Sequence, residues 1–370
     1  MSAPDVVVVG GGVVGCAIAL ELTRRGAAVT LFERDEIGGH ASGYSFGGLY
    51  PTSGAGIPGP LLEPARHAVD LHRRAAPELR DLTGIDVHLE AVESLALATD
   101  ESGLDSLRAS CRWQQSHGFD AEMLADDELR RLAPEAVPDI AGALLQRSHF
   151  EVDSLLLTRA LARAAQLKGA VVRHAPITAV DSSANSGAAV TTQSGEAVSA
   201  AAIVLATGPW AGAGEIAGSP LPPVRPVKGE IVRLRVPGNG FRRRLGIGGV
   251  NVGRKPDGLV WAGTTEVEAG FDERPSAAGK ESILSRAARI VPALAGAAVS
   301  RHTACLRPVS SDGLPIVGPL ADRPAILLAA GAGKKGVLLS LVIAEWLAAA
   351  LLSGSNSNPP SAFLPARFGL

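Results

Sequence analysis

The chain has 370 residues, 46% of them hydrophobic, and its 35 Lys and Arg side chains nearly balance 37 Asp and Glu side chains. This length favours two domains with enough apolar material for a large core. The near-neutral charge argues against a nucleic-acid partner or a membrane surface, which leaves small molecules as the favoured ligands.

The first 35 residues predict a β-α-β unit. The apolar run 5–9 (DVVVV) is typical of a strand buried on both faces. It leads into 10–15 (GGGVVG), which fits G-x-G-x-x-G, and then into a helical pattern that stops at Gly26. A second strand, 28–32, ends at Glu33. Strand, glycine loop, helix, strand and acidic residue therefore follow one another in the order of a dinucleotide-binding fold.

Each residue type in this unit has a chemical reason. Gly10 permits a tight turn, Gly12 lets the backbone approach a pyrophosphate, and Gly15 lets helix and strand pack closely. The helix N-terminus offers free N–H groups to phosphates, and Glu33 is placed to accept hydrogen bonds from ribose hydroxyls. The glycine-rich stretch 37–51 suits a pyrophosphate and a flavin ring better than a nicotinamide.

Further along, the pattern predicts alternating elements and hinges. Residues 51–60 and 217–226 are rich in Pro and Gly and mark crossings between domains. Residues 61–84 show helical spacing of apolar side chains. Residues 152–172 predict a capped helix that feeds a strand, and 200–212 predict another buried strand.

The second half predicts antiparallel strands and a buried helix. Residues 231–235 alternate like a half-buried strand, and 245–266 read as a hairpin that turns at 255–258. The apolar segment 337–352 is interrupted by Glu345 and is shorter than the roughly 20 residues that a membrane span needs, so it predicts a buried helix. The tail 353–370 is expected to be loosely held.

These motifs, taken together, resemble the D-amino-acid oxidase superfamily, and within it the glycine oxidase and sarcosine oxidase-like flavoenzymes. The resemblance rests on 10–35, HASGYSFGG (40–48), ATGPW (206–210), PVKGEIVRLR (226–235), CLRPVSSDGLPIVG (305–318) and AAGAGKKG (329–336). It covers essentially the whole chain. It implies an α/β fold in which a Rossmann-type FAD-binding domain is interleaved with an antiparallel-sheet α+β substrate domain. The FAD domain would comprise 1–50, 140–215 and 305–352, the substrate domain 51–139 and 216–304, and the C-terminal tail 353–370.

The resemblance implies tightly bound FAD and a set of residues that contact it. For Leu49 and Ile177 an ordinary core role is an equally good interpretation. The implied contacts are Gly10, Gly12, Val13, Val14 and Gly15 at the pyrophosphate; Glu33 and Arg34 at the adenosine; His40, Ala41 and Ser42 at the phosphates; Gly47, Gly48 and Leu49 at the isoalloxazine; Ile177 at the adenine; and Thr207, Gly208, Trp210, Gly333, Lys334, Lys335, Gly336 and Val337 elsewhere along the cofactor.

Arg307 is the residue that the resemblance implies for substrate binding, through a bidentate pair with a carboxylate. A surface or structural arginine is the alternative. Lys334 and Lys335 stand where the C-terminal helix begins, which is unfavourable for cations unless an anion is near. Lys334 is therefore expected to assist Arg307; two solvated loop lysines are the alternative.

The cysteines Cys16, Cys111 and Cys305 show no CxxC and no metal-ligand spacing, which predicts a reducing compartment, no disulfide framework and no metal. Cys305 matches the cysteine that sarcosine oxidase links covalently to its flavin. Noncovalent relatives resemble the same Cys-x-Arg-Pro form, and a buried cysteine is often a small hydrophobe, so both interpretations stay open. The N-terminus lacks the basic region of a signal peptide, and a cytoplasmic protein without a membrane span is expected.

Two positions depart from the family pattern. Asn251 stands where many relatives carry a substrate-facing tyrosine, and Trp261 stands where sarcosine oxidase has a lysine thought to help oxygen react. The first leaves the identity of the amino acid open, and the second leaves the electron acceptor open.

The function implied is oxidation of the amine of an amino acid of the glycine, sarcosine or D-amino-acid type. Hydride transfer to flavin N5 would give an imino acid, and oxygen would reoxidise the flavin. A dehydrogenase that passes electrons to a quinone or carrier protein is one alternative, and a noncatalytic flavoprotein subunit is another. A homo-oligomer or an electron-acceptor partner is compatible with each.

Overall fold

The computed structural model of the protein describes residues 4–183, 187–238, 241–352 and 359–370. The helices are α1 (Val13–Arg24), α2 (Leu62–Thr83), α3 (Glu101–Ser116), α4 (Asp126–Leu132), α5 (Ser154–Leu167), α6 (Ala277–Ile290) and α7 (Gly336–Leu351). The strands are β1 (Val6–Val9), β2 (Val29–Glu33), β3 (Gly48–Leu49), β4 (Glu90–Ala98), β5 (Ala121–Leu124), β6 (Gly142–Glu151), β7 (Val171–His174), β8 (Ile177–Ser183), β9 (Gly187–Thr192), β10 (Ala197–Ala200), β11 (Ala202–Leu205), β12 (Val224–Arg235), β13 (Arg244–Ile247), β14 (Val250–Arg254), β15 (Val260–Gly263), β16 (Ala298–Ser310), β17 (Ile316–Pro319) and β18 (Ile326–Ala330).

The first of the two large sheets has six strands, in the order β17-β18-β11-β1-β2-β7. Strand β1 is parallel to both β2 and β11, so the carboxyl ends of these strands meet at one edge. Val6 and Val8 pack into the core that α1, α5 and α7 form on one face. Val7 and Val9 pack on the other face, against the three-stranded sheet β10-β9-β8. Burial on both faces explains the unbroken apolar run of β1.

The second large sheet is mixed and has nine strands. Their order is β16-β12-β15-β14-β13-β4-β6-β3, with β5 paired to β6. Its longest pair is β12 with β16, which runs from Val224 opposite Ser310 to Arg235 opposite Ala298. Helix α6 covers one face and shares a core with β12, β13, β14 and β15. The two sheets confirm the predicted fold class.

The pairing places two segments differently from the ranges expected for the domains. Strand β6 falls in the range 140–215 given to the FAD domain, yet it pairs with β4 and β3 in the nine-stranded sheet. Strand β16 crosses the expected boundary at 305 and keeps its pairing with β12 through Ser310.

Several local predictions are confirmed. Helix α2 ends at Gly84, whose φ of 75° is left-handed, and the side chain of Asp153 caps α5. The hairpin turns where Gly258 N–H donates to the Lys255 carbonyl over 2.9 Å. Helix α7 is buried over most of its length. Among the described residues, no helix is long and apolar enough to cross a membrane.

The expectation of a loosely held tail is wrong for 359–370. Phe363 is fully buried and stacks on Trp346 with ring centroids 5.2 Å apart. Arg367 Nε donates to Asp312 Oδ2 over 2.8 Å. An aromatic anchor and a charged hydrogen bond therefore fix this segment, while 353–358 lie outside the described residues.

Candidate active site

A cavity of about 960 Å³ runs from the carboxyl edge of the six-stranded sheet to the face of the nine-stranded sheet. Its wall comes from the loops that follow β1, β2, β11 and β18 and from strands β12, β14 and β16. This volume is at the upper end of the range for small-molecule and cofactor sites. The carboxyl edge of a parallel sheet is also where such folds bind dinucleotides.

The glycines of the loop after β1 divide into two kinds. Gly10 has a φ of 113°, and a Cβ there would collide with the carbonyl oxygen of Ala206; a Cβ on Gly15 would collide with the Gly10 carbonyl. These two serve the packing of the chain on itself. A Cβ on Gly12 would meet only Ser42 Oγ, at 3.2 Å, and Gly12 lines the cavity. The space beside Gly12 is therefore kept free for a ligand at the α1 N-terminus.

Gly12→Ala is expected to fold and to lose FAD, because its methyl group meets only the Ser42 hydroxyl of the protein, at 3.2 Å, and otherwise occupies the ligand's space. Gly15→Ala is expected to lower the thermal stability of the apoprotein, because its Cβ meets backbone. The flavin-to-protein absorbance ratio and the thermal unfolding of both variants check this. Full FAD content in a folded Gly12→Ala protein would contradict the assignment.

Glu33 fits a ribose-binding role. It ends β2, is buried, and its carboxylate accepts the N–H groups of Gly11 (2.6 Å) and Asp35 (2.8 Å). An ionised carboxylate can accept about four hydrogen bonds, so acceptor capacity remains for the hydroxyls of a ribose. Ser42 Oγ accepts the Val13 N–H over 2.9 Å, which holds the following loop against the start of α1.

Side chains from distant segments pack together at the end of the cavity that contains Glu33. The Arg34 guanidinium lies 4.0 Å from the centre of the Trp210 ring, and Trp210 contacts His40 edge-on at 4.7 Å. His40 Nδ1 is 3.0 Å from a Glu273 carboxylate oxygen, and His40 Nε2 is 2.9 Å from Asp35. His40 thus connects the loop after β2 with the segment that precedes α6.

We expect the contribution of His40 to the stability of the folded protein to weaken as the pH rises. The hydrogen bond to Glu273 raises the pKa of His40, burial opposes this, and the bond to Asp35 adds to it. A raised folded-state pKa gives stabilisation that is present in full below about 6.5 and is lost as the pH rises through the folded-state value. The difference in free energy of unfolding between the wild type and His40→Asn should therefore shrink as the pH rises through this range, measured by urea denaturation. A difference that does not change with pH would contradict this role.

Arg307 lies on β16, in the part of the cavity wall that the nine-stranded sheet forms. Its guanidinium covers Gly229 of β12, where any Cβ would collide with it, and its Nη1 donates to the Thr265 carbonyl over 3.0 Å. Among the described residues it has no carboxylate partner. The position of Arg307 therefore depends on a glycine beneath it and a backbone carbonyl beside it, and its remaining donors are available to a ligand.

Lys334 and Arg307 reach the same short segment of the chain. Val309 and Ala332 form an isolated antiparallel bridge, which joins the end of β16 to the turn that contains Lys334. Arg307 donates to the Thr265 carbonyl over 3.0 Å. Lys334 Nζ pairs with Glu266, the residue next to Thr265. The structure thus brings the two predicted substrate-binding cations together and adds one carboxylate.

Lys335 has a different environment. Its Nζ donates to the Tyr50 carbonyl over 2.8 Å, and its side chain lies against Gly54. Burial and then the charge of Lys334 lower the pKa of Lys335 to about 8. No carboxylate among the described residues pairs with it. A partly desolvated cation at the start of α7 is suited to face an anionic part of a ligand.

Most of the predicted contacts line this cavity. Three do not: Gly15 packs on Gly10, Gly47 approaches the Val152 carbonyl too closely to carry a Cβ, and Leu49 is fully buried in the core. Those that line it are Gly10, Gly12, Val13, Val14, Glu33, Arg34, His40, Ala41, Ser42, Gly48, Ile177, Thr207, Gly208, Trp210, Cys305, Arg307, Gly333, Lys334, Lys335, Gly336 and Val337.

The two departures from the family pattern lie in different places. Asn251 lines the cavity. Trp261 is buried outside its wall, beneath the Arg233 guanidinium at 3.8 Å, and donates from Nε1 to Asp257 over 3.0 Å. Asn251 is therefore placed to affect substrate choice, and Trp261 serves packing.

Sequence reasoning missed Glu266 and Tyr50, which both line the cavity. Glu266 follows β15 by three residues, and only the register of β12, β15 and β16 brings it beside Arg307 and Lys334. Among the described residues, no group of three or more His, Cys, Asp or Glu side chains could hold a metal ion.

Comparison with known proteins identifies the class. The family model described as FAD dependent oxidoreductase (DAO) matches residues 5–350, and the chain belongs to this family. The predicted family and the predicted FAD cofactor are thereby confirmed, and the glycine loop, Glu33 and the cavity beside them are compatible with that cofactor.

Two curated relatives and one solved structure show how close the match is. Glycine oxidase of Bacillus licheniformis is 31% identical over 350 residues, covering 94% of this chain and 93% of the relative. Glycine oxidase of Geobacillus kaustophilus is 33% identical over 339 residues, covering 91% and 89%. The crystal structure of glycine oxidase from Geobacillus kaustophilus has a TM-score of 0.93 at 30% identity and covers 99% of both chains. The protein is an FAD-dependent oxidoreductase of the glycine oxidase type.

Proposed function

We propose that the protein oxidises the amine of a small amino acid, of the glycine, sarcosine or D-amino-acid type, with Arg307 holding the carboxylate. The observation that carries this is the guanidinium of Arg307 in the cavity wall, without a carboxylate partner in the described part of the chain, while Lys334 pairs with the residue next to the one that Arg307 contacts. The similarity to curated glycine oxidases supports the same substrate class.

Arg307 and Lys334 orient the substrate. A planar guanidinium binds a carboxylate through two parallel hydrogen bonds, which fixes the direction of the Cα–H bond. Orientation of this kind removes much of the entropic part of a barrier. Lys334 lines the same cavity and adds a second positive charge for the carboxylate.

Each part of FAD is assigned to residues of the cavity wall. Gly12 and the N-terminus of α1 would hold the pyrophosphate, Glu33 the ribose, and Lys335 with the start of α7 the ring system. When bound, FAD supplies the acceptor for the hydride that leaves the substrate Cα. Water then hydrolyses the imino acid to a 2-oxo acid, or to glyoxylate from glycine.

We propose that FAD is held without a covalent bond. Cys305 lines the cavity, but burial raises the pKa of its thiol to about 11, even though Arg307 lowers it. The thiolate is the reactive form of cysteine, so this environment disfavours attack on a flavin. Acid precipitation should leave a yellow supernatant and a colourless pellet; a yellow pellet would show a covalent link.

Oxygen is the proposed electron acceptor. Stopped-flow mixing of the reduced protein with aerated buffer should reoxidise it faster than turnover with glycine and release hydrogen peroxide. Reoxidation much slower than turnover would instead assign the electrons to a quinone or a carrier protein.

A further inference from the structure

The adjacent residues Thr265 and Glu266 each contact one of the two cations that are proposed to hold the substrate. Arg307 donates to the Thr265 carbonyl over 3.0 Å, and Lys334 pairs with the Glu266 carboxylate. Without a ligand, the carboxylate of Glu266 is the counter-ion of Lys334. A substrate carboxylate that binds Lys334 competes with it for the ammonium group.

The backbone of this segment is fixed, and the side chain of Glu266 can move. Thr265 is buried, and its Oγ1 accepts the Glu230 N–H over 3.0 Å. The side chain of Glu266 is 55% exposed. Displacement from Lys334 therefore needs only rotation of an exposed side chain, because the main chain next to it is tied to β12.

The other carboxylates of the cavity wall already have hydrogen-bond or ion-pair partners, or they lie far from Arg307. Among the described residues they are Glu33, Glu36 and Glu215. Glu33 accepts two backbone N–H groups, and Glu215 pairs with Arg34 at 3.2 Å, both at the adenosine end. Glu36 lies in the same loop as Glu33. Glu266 is thus the wall carboxylate beside Arg307, where an amino acid would present its ammonium group.

We propose that Glu266, once displaced from Lys334, binds the substrate ammonium group and accepts one of its protons. The N–H bond of the ammonium breaks and the O–H bond of the Glu266 carboxyl forms. The electron pair of the broken N–H bond stays on the nitrogen as a lone pair, so the amine is neutral when the Cα–H bond is oriented for oxidation. Glu266 then returns the proton to water at the cavity mouth. This inference rests on the proposed function and adds how an amino acid is chosen over an acid that lacks the amine.

The chain offers a matched control. Glu268 lies two residues further on and pairs with Arg225 at 2.9 Å with both side chains exposed, but it is not part of the cavity wall. Glu266→Gln and Glu268→Gln each remove one charge from an exposed ion pair, so a general effect of charge or of loop stability would appear in both.

The first test is a binding comparison that does not need turnover. Isobutyrate and 2-aminoisobutyrate differ in the amine, and the second has no Cα hydrogen to transfer. Their Kd values are measured from the perturbation of flavin absorbance in the FAD-loaded protein. Wild type and Glu268→Gln should prefer the amino compound. Glu266→Gln should bind isobutyrate about two- to fivefold more tightly, because the competing ion pair is gone, and should bind 2-aminoisobutyrate more weakly.

The second test is the pH profile of flavin reduction by glycine. In Glu266→Gln the rate should fall by at least about tenfold at neutral pH, and the profile should shift toward the alkaline range in which the amine is neutral without help. Equal preference for the two probes in the wild type, or an unshifted profile in Glu266→Gln, would overturn the proposal. Failure of the wild type to be reduced by any amino acid would instead overturn the proposed function, and the binding comparison would still decide the role of Glu266.

Discussion

Replacement of Arg307 by alanine is expected to lower kcat/KM for the amino-acid substrate by roughly 30- to 4000-fold. Truncating one partner of a desolvated charge pair costs about 2 to 5 kcal/mol, and each 1.4 kcal/mol is a factor of ten. The guanidinium already sits over Gly229 and is fixed by the Thr265 carbonyl. The variant therefore loses a positioned group, and the folded structure loses little.

The conservative variant separates charge from geometry. Arg307→Lys keeps the charge but loses the two-pronged fork, so it should fall between the wild type and Arg307→Ala. Arg225→Ala removes an exposed arginine from the neighbouring strand β12 and should leave kcat/KM unchanged. Rates of anaerobic flavin reduction over a range of substrate concentrations check all three variants. An Arg307→Ala protein with wild-type reduction kinetics would contradict the carboxylate clamp.

The largest expected loss of stability comes from Glu151→Ala. Glu151 ends β6 and is buried between Arg244 and Lys255, whose Nζ is 2.6 Å away; the Tyr50 hydroxyl also donates to it. All three charged side chains are at most 6% exposed. Removing the carboxylate leaves two buried cations without their shared counter-ion, which costs about 3 to 5 kcal/mol.

Acid should weaken the same cluster. Burial raises the pKa of Glu151, but Arg244 and Lys255 outweigh it and bring the pKa down to about 2. A lowered folded-state pKa gives stabilisation that is complete above the ordinary glutamate value of about 4.3 and is lost as the pH falls toward 2.

Urea denaturation of the FAD-loaded protein measures both effects. Glu122→Ala is the control, because Glu122 forms an exposed pair with Arg147 that should contribute at most about 1 kcal/mol. If the free energy of unfolding of Glu151→Ala fell no further than that of Glu122→Ala, the cluster would not have the stabilising role assigned to it.

The cofactor half of the fold was predictable because its determinants are contiguous. The run 5–33 contains the strand, the glycine loop, the helix and Glu33 in order, and each constrains its neighbour in the chain. The motif alone predicts different roles for Gly12, at a pyrophosphate, and Gly15, in helix–strand packing. The structure agrees, because a Cβ on Gly15 would collide with backbone and one on Gly12 would meet only the Ser42 hydroxyl at the cavity wall.

The substrate half depends on contacts between distant residues, which a single sequence does not reveal. Strand β13 lies parallel to β4, with Arg244 opposite Ser94. Glu151 finds Arg244 and Lys255 some 93 and 104 residues further along the chain. Glu266 comes to lie beside Lys334, next to the residue that Arg307 contacts, only because the fold brings these distant segments together. In the sequence, charged residues of this kind cannot be distinguished from solvated surface residues, because their partners lie in distant segments of the chain.

The central claim is that an amino acid held by Arg307 reduces the flavin. The direct measurement is anaerobic mixing of the FAD-loaded protein with glycine, sarcosine, D- and L-amino acids, proline derivatives and simple amines, followed at the flavin absorption band. The account predicts bleaching by one or more small amino acids and none by the matching amines that lack a carboxylate. Bleaching by dithionite but by no amino acid would contradict it, as would equally fast bleaching by the amines.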